Sequence, residues 1–171
     1  MGAGKPDGVP SVTRPGDRLL ITGSQGSGKS RAAAEDIAAI RVPMTVWWTV
    51  PTLDKAAEQA AEYNRLRQPD SMPAIVVRGR GADDPDNPGK RMCPRYKAAE
   101  RAAKAKVNVR KDICGSCPFR VGCSYLKQEE NIAGMNGSGL FVMAREYLFT
   151  PCPAPSPDVF IGDESVIPTQ F

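Results

Sequence analysis

The chain has 171 residues, of which 41% are hydrophobic and 25% are charged, and its net charge is only +4, so we expect one globular domain. It contains no histidine, which excludes a Ser-His-Asp triad, a Cys-His dyad and a Cys2His2 zinc finger. It has no apolar run near the roughly 20 residues of a membrane span and no secretory signal, so we expect a cytoplasmic protein without a membrane partner.

The first elements surround a glycine-rich segment. Residues 1–17 are rich in Gly and Pro and lack periodicity, which predicts a flexible lead-in. Arg18–Thr22 is a short apolar run, typical of a buried parallel strand, and Ser30–Arg41 is Ala-rich and predicts a helix. A domain is therefore expected over residues 18–171.

The segment between this strand and helix reads GSQGSGKS and matches the phosphate-loop pattern G-x-x-x-x-G-K-[ST] completely. We expect backbone N–H groups to surround the phosphates of a nucleoside triphosphate at the positive end of the helix. Lys29 would neutralise the β and γ phosphates, and the Ser30 hydroxyl would bind Mg²⁺. The predicted nucleotide-binding residues are Gly23, Ser24, Gln25, Gly26, Ser27, Gly28, Lys29 and Ser30.

Strands and helices alternate along the rest of the chain. Leu53–Arg67 predicts a helix, and Gly79–Lys90 is too rich in Gly, Pro and Asp to be anything but a loop. The further predicted strands are Thr45–Val50, Ala74–Val77, Leu140–Met143 and Val159–Ile161. This alternation predicts an α/β fold with a parallel sheet flanked by helices, as in P-loop NTPases.

An acidic pair follows the last of these strands. A phosphate loop needs a carboxylate at the end of another strand, and Asp163 and Glu164 stand in that position. Asp163 would support Mg²⁺, and Glu164 would polarise the attacking water as a general base. The alternative is a surface acidic turn.

Four cysteines suggest a metal site between the predicted strands Ala74–Val77 and Leu140–Met143. Cys93, Cys114, Cys117 and Cys123 have spacings that allow their thiolates to meet at one soft metal, whereas Cys152 stands apart. Zinc and an iron-sulfur cluster both remain open. Structural zinc sites usually use two pairs of ligands that are close in sequence, and this chain has only one such pair, Cys114 and Cys117. The spacing therefore favours an iron-sulfur cluster over zinc.

The same region is strongly basic. Nine basic residues and one acidic residue, Glu100, lie between Lys90 and Lys111. This composition is typical of a surface that binds a polyanion, and a solvated basic helix is the alternative. We therefore expect an inserted basic, cysteine-rich, metal-binding subdomain at about residues 91–126.

The order of these motifs resembles the first motor domain of the iron-sulfur superfamily 2 DNA helicases, the XPD and DinG type. Besides the phosphate loop, the cysteines and Asp163-Glu164, the resemblance rests on Val50-Pro51-Thr52, Val77-Arg78-Gly79-Arg80 and the run from Gly139 to Leu148. It implies a RecA-like fold, ATP hydrolysis and a [4Fe-4S] cluster on Cys93, Cys114, Cys117 and Cys123. It also implies binding of single-stranded DNA in replication or repair.

The chain departs from the family at several points. It lacks an Arg-x-x-Gln motif before the phosphate loop, and its acidic box reads Asp-Glu-Ser-Val without the family's histidine. Nothing after this box matches a second RecA-like domain, so we expect hydrolysis to be weak until such a domain or a partner chain completes the site. The alternatives are a zinc-stabilised, nucleic-acid-binding P-loop module of a primase or helicase accessory protein, and a small-molecule kinase.

Overall fold

The computed structural model describes residues 28–162, in which four parallel strands form one sheet with helices on both faces. The strands run in the order β2-β3-β1-β4. Their bounds are β1 Thr45–Val50, β2 Ala74–Val77, β3 Gly139–Ala144 and β4 Val159–Gly162. All four were predicted within one or two residues, whereas the predicted strand Arg18–Thr22 lies outside the described residues. The α/β class and the parallel sheet are confirmed.

The centre of the sheet is the pair β1 and β3, which lie parallel from Thr45 opposite Gly139 to Val50 opposite Ala144. Both strands consist almost wholly of buried residues, as a sheet covered on two faces requires. Trp48 is fully buried on one face, whereas Trp47 packs on the other and donates from Nε1 to the Pro155 carbonyl at 2.8 Å. The tryptophans therefore belong to the core on both sides.

One face of the sheet is covered by α1 (Lys29–Ala38) and α2 (Leu53–Leu66). The Thr52 side chain caps α2 by accepting from the Lys55 N–H at 3.2 Å. Helix α1 ends three residues before the predicted Arg41. Two side chains satisfy the last carbonyl of the helix, because the Ala38 carbonyl accepts hydrogen bonds from Arg41 Nη1 at 2.8 Å and from the sequence-distant Ser71 Oγ at 3.2 Å.

The other face is covered by α4 (Ser124–Gly134) and by the segment between β3 and β4. Ile132 of α4 packs with Phe141 and Met143 of the sheet and with Ala154. Helix α3 (Tyr96–Lys104) precedes α4 in the connection between β2 and β3. Within residues 28–162, no helix combines the length and the apolar content that spanning a bilayer requires.

We predict that Tyr63→Phe lowers the free energy of unfolding by about 1 to 3 kcal/mol, because it leaves a buried carbonyl without its donor. Tyr63 is fully buried on α2, and its hydroxyl donates to the Met72 carbonyl at 2.9 Å. Urea unfolding at neutral pH measures the change. Tyr96→Phe is the matched control and should alter stability by less than about 0.5 kcal/mol. Equal effects of the two substitutions would contradict the assigned role of the Tyr63 hydroxyl.

Candidate metal centre, phosphate loop and basic surface

The described part of the predicted phosphate loop is its last three residues, Gly28, Lys29 and Ser30. Gly28 precedes α1 with φ of 79°, a left-handed conformation that favours glycine, and Lys29 and Ser30 form the first turn of the helix. The Gly28 carbonyl accepts the Ala32 N–H at 2.9 Å and so begins the helical hydrogen bonding. Gly23, Ser24, Gln25, Gly26 and Ser27 lie outside the described residues.

The acidic pair also lies outside the described residues, but the strand before it does not. Strand β4 ends at Gly162, and Asp163 and Glu164 follow directly. At the opposite end of this strand, Asp158 Oδ2 accepts the Thr45 N–H at 2.8 Å, and the Asp158 N–H donates to the Thr45 carbonyl at 2.8 Å. This two-way pairing fixes the start of β4 beside β1.

Three of the four predicted metal ligands lie in one buried cluster. Cys93, Cys114 and Cys123 are each about 5% exposed and pack with Met92, Tyr125 and Leu126. Three separate segments deliver them: the end of the long loop after β2, the end of a π-helical turn (Val109–Ile113), and the N-cap position of α4. Burial of three thiols from distant parts of the chain in one cluster suits the chemistry of a soft metal.

Cys117 lies close to this cluster in the chain but is half-buried. It occupies the turn after Cys114, and its N–H donates to the Cys114 carbonyl at 3.4 Å. Among residues 28–162, no three cysteine or carboxylate side chains are arranged closely enough to coordinate one ion. The thiols thus fit a soft metal by chemistry and shared burial, while their sulfur atoms do not form a coordination shell.

Backbone hydrogen bonds fix the position of Cys93. Its N–H donates to the Arg80 carbonyl at 3.0 Å, and the neighbouring Met92 N–H donates to the Ala82 carbonyl at 2.9 Å. Burial raises the pKa of the Cys93 thiol, partly offset by the backbone N–H of Arg95. A raised pKa favours the neutral thiol, whose proton a metal ion would displace.

Arg80 is the charged group closest to these thiols. Its guanidinium lies 4.0 Å from the centroid of the Tyr125 ring, and Nη1 donates to Cys114 Sγ at 3.4 Å. The same charge also acts on the Cys93 thiol and lowers its pKa against the larger effect of burial. Only 17% of the Arg80 side chain is exposed, so its charge acts on the two sulfurs with little screening by water. Its positive charge thus lies beside a sulfur atom that would bind a metal as a thiolate.

Glu129 of α4 is the carboxylate that forms an ion pair with Arg80. Its carboxylate lies 3.7 Å from Arg80 Nη2, pairs with Arg110 on the other side, and acts through its charge on Tyr125. Burial raises the pKa of Tyr125 to about 12, so its hydroxyl stays protonated at neutral pH. The thiol cluster is therefore linked through Arg80 and Glu129 to Arg110, whose side chain is half exposed.

Asp84 fastens the loop between β2 and α3 to α4. The carboxylate is buried and accepts from Ser124 Oγ at 2.5 Å, from Asn87 Nδ2 at 2.9 Å and from the Asp86 N–H at 3.0 Å. These donors, Ser124 first, hold the pKa of Asp84 below its usual value. Ser124 follows Cys123 directly, so Asp84 also helps to position that cysteine.

The basic residues form an exposed surface. Lys97, Arg101 and Lys104 follow one another at helical spacing along α3, opposite the buried Ala99 and Ala102. Within residues 28–162, only two of the nine basic residues have ion pairs, Arg91 with Asp83 and Arg110 with Glu129. The others are Lys90, Arg95, Lys97, Arg101, Lys104, Lys106 and Lys111.

Sequence reasoning missed Arg80, Glu129 and Asp84 as parts of the site. Arg80 stands in a glycine-rich loop and Glu129 in an ordinary charged helix, so neither has a spacing that marks it. Only the tertiary contacts with Cys114 and Tyr125 identify them. An acidic residue in a Gly/Pro loop followed three residues later by Asn, as in Asp84 and Asn87, was the one local signal available.

Comparison of this chain with models of protein families, with curated proteins and with solved structures finds no match to any of them.

We predict that Asp84→Ala lowers the free energy of unfolding by about 1 to 3 kcal/mol at pH 7, because Ser124 and Asn87 lose a buried acceptor. Since the folded-state pKa of Asp84 is lowered, its contribution is complete above the unfolded-state pKa of about 4 and is lost as the pH falls towards the folded value. The difference between wild type and variant in urea unfolding should therefore be constant above about pH 4 and shrink as the pH falls below it. Asp86→Ala is the control, because the Asp86 side chain is exposed. A difference that does not change with pH would exclude titration of Asp84 as its source.

Proposed function

We propose that the chain is a helicase-like P-loop NTPase domain of RecA-like architecture that binds ATP and Mg²⁺ and carries a [4Fe-4S] cluster. It acts on single-stranded nucleic acid in DNA replication or repair. Its ATP hydrolysis is weak until a second RecA-like domain or a partner chain completes the site. The observation that carries the proposal is the burial of Cys93, Cys114 and Cys123 in one cluster beside an exposed basic helix.

The small size of the cysteine cluster supports a metal. Apart from the three thiols, its buried members are only Met92, Tyr125 and Leu126. A core of this size buries little apolar surface, and such cores are usually held together by a metal or by disulfides. A cluster held by Cys93, Cys114, Cys123 and Cys117 would supply cross-links between the three segments. Arg80 would place a positive charge beside the metal-bound thiolates.

The fold supports a phosphate site at the carboxyl edge of the sheet. Helix α1 leads into the amino end of β1, so its first residues, Gly28 to Ser30, lie towards the opposite, carboxyl edge. Strand β4 also ends at this edge, directly before Asp163. Ligands of open parallel sheets bind at this edge, where loop backbone and helix N-termini gather.

The handedness of crossovers supports the predicted pairing of phosphate loop and acidic box. Helices α1 and α2 cover the same face, and the α2 crossover runs from β1 towards the β3 side. A right-handed crossover through α1 must run in the same direction, so the predicted strand Arg18–Thr22 would enter from the β4 side of β1. Lys29, Ser30, Asp163 and Glu164 would then share the roles of phosphate binding, Mg²⁺ binding and activation of water.

The seven cations without ion pairs support binding of a polyanion. Contacts of Lys and Arg with phosphates give affinity that is independent of sequence and falls with salt. Lys97, Arg101 and Lys104 of α3 project from one face of the connection that carries the cysteines. A single strand bound there would lie beside the metal site.

We predict that the protein purified under anaerobic conditions contains about four iron and four sulfide per chain and is brown. Cys117→Ser should lose the metal and the visible absorbance, because one of the four thiolate ligands is removed. Cys152→Ser is the control and should keep both, since Cys152 lies against Met143 on the sheet face, away from the thiol cluster. One zinc per chain and no colour would instead support the zinc-stabilised module without motor activity.

We predict that Lys29→Ala weakens ATP binding by at least about 100-fold, because a phosphate loop without its lysine loses its main charge on the β and γ phosphates. Fluorescent ATP analogues measure the affinity, and circular dichroism checks that the fold is intact. Lys55→Ala is the control, because Lys55 pairs with Glu58 on the exposed side of α2. Unchanged affinity of the Lys29 variant would overturn the assignment of the phosphate loop.

A further inference from the structure

On the outer edge of β2, side chains hydrogen-bond the backbone at both ends of the strand but not in its middle. The Leu140 N–H donates to the Pro73 carbonyl at 3.0 Å, which fixes the pairing of β2 with β3. Because alternate residues of a strand bond to opposite sides, Ile75 and Val77 face β3. The N–H and C=O groups of Ala74, Val76 and Arg78 therefore point away from the sheet.

Side-chain amides pair with the first and last of these three residues. At one end, Gln128 Oε1 accepts the Arg78 N–H at 2.9 Å and Gln128 Nε2 donates to the Arg78 carbonyl at 3.0 Å. At the other end, Asn64 Oδ1 accepts the Ala74 N–H at 3.3 Å and Asn64 Nδ2 donates to the Ala74 carbonyl at 3.5 Å. Each amide thus satisfies both backbone groups of one residue.

Val76 between them has no such partner among residues 28–162. A cavity of about 340 Å³ lies against this part of the strand and is lined by both Ile75 and Val76. The side chains of these two residues lie on opposite faces of the sheet, so a cavity that contacts both lies at its edge. Met92 forms an apolar part of the lining, and Ser124 and Asn131 supply polar groups.

The geometry limits what can bind to Val76. A peptide added as a further strand would pair with Ala74, Val76 and Arg78 in turn, and the two amides already occupy the outer positions. What fits is a single planar group that accepts from an N–H and donates to a C=O, as Gln128 and Asn64 do. The Watson–Crick edge of adenine or cytosine presents this pair of neighbouring atoms.

Two cations in the cavity lining are available to contact a phosphate group of a ligand. They are Arg78 and Lys127, which have no ion pair within the described range. Of the two acids in the lining, Asp84 is already engaged by Ser124 and Asn87, and Asp86 is exposed. Asp84 stays ionised, because its donors are neutral and its pKa is lowered, so two cations stand against two carboxylates and a phosphate would meet Lys127 through a local contact.

We propose that the outer edge of β2 is a nucleobase-binding site, in which the Val76 N–H and C=O pair with the edge of an adenine or cytosine while Lys127 meets its phosphate. The base comes from a free nucleotide or from a single strand, and the second source rests on the proposed function. This site is separate from the phosphate loop, because β2 is separated from β1 and α1 by β3 in the order of the sheet.

The experiment uses the metal-loaded protein labelled with ¹⁵N-valine and follows the Val76 amide by NMR. Adenosine monophosphate, a short oligo-dA and ribose 5-phosphate are titrated in parallel. We expect the Val76 resonance to shift downfield with the first two, more than the Val77 resonance, and to stay in place with ribose 5-phosphate. A shift with oligo-dA alone identifies a base within a strand, and a shift with both identifies the base itself. An unmoved Val76 amide, or an equal shift with ribose 5-phosphate, overturns the proposal.

Variants separate this site from the proposed function. Lys127→Ala should weaken binding of adenosine monophosphate about fivefold, the size of one exposed ionic contact, whereas Lys104→Ala on α3 should leave it unchanged. Lys29→Ala should leave the Val76 shift intact, because the phosphate loop takes no part in it. If the Val76 shift persists but the protein contains no iron and has no ATPase activity, the base site is supported and the helicase-like function is not. Loss of the Val76 shift in Lys29→Ala would show that the shift depends on the phosphate loop, and would overturn the proposal of a separate site.

Discussion

The parallel pairing of β1 with β3 is the constraint on which the rest of the structure depends. Two parallel neighbours cannot be joined by a tight turn, so each requires a long crossover to return the chain to the same end of the sheet. In this protein α2 makes one crossover on one face, and the connection that ends in α4 makes the next on the other face. That second connection carries the cysteines, Arg80 and the basic helix.

Helix α4 connects the buried thiols to the sheet. Cys123 begins α4, Gln128 of the same helix pairs with the end of β2, and Ile132 packs under β3. These three contacts occupy successive turns of one short helix. A change in the arrangement of the thiols therefore has a direct route to the strands, through a rigid element and not through a loop.

The strands could be predicted from sequence because β-branched and aromatic runs such as Thr45–Val50 mark buried strands. Their order could not, since the insertion of β3 between β1 and β2 depends on which faces the helices cover. The end of α1 was misplaced because the Ala38 carbonyl is captured by Arg41 and by Ser71, which is distant in sequence. Cys93, Cys114 and Cys123 share one buried cluster, and the four-cysteine ligand set stays a prediction. The role of Glu129 has no local signature, and Arg80 was named only within the Val77–Arg80 motif.

The amides of Gln128 and Asn64 also bear on self-association. An exposed strand edge with free N–H and C=O groups is a template for pairing with another chain, and proteins commonly block it. Here one of the two blocking groups belongs to α4, the helix that begins at a cysteine of the thiol cluster. Opening of the cluster would withdraw that block from Arg78 and leave two neighbouring outward positions of β2, Val76 and Arg78, open. Through α4, an intact thiol cluster therefore helps to protect the edge of β2 against pairing with another chain.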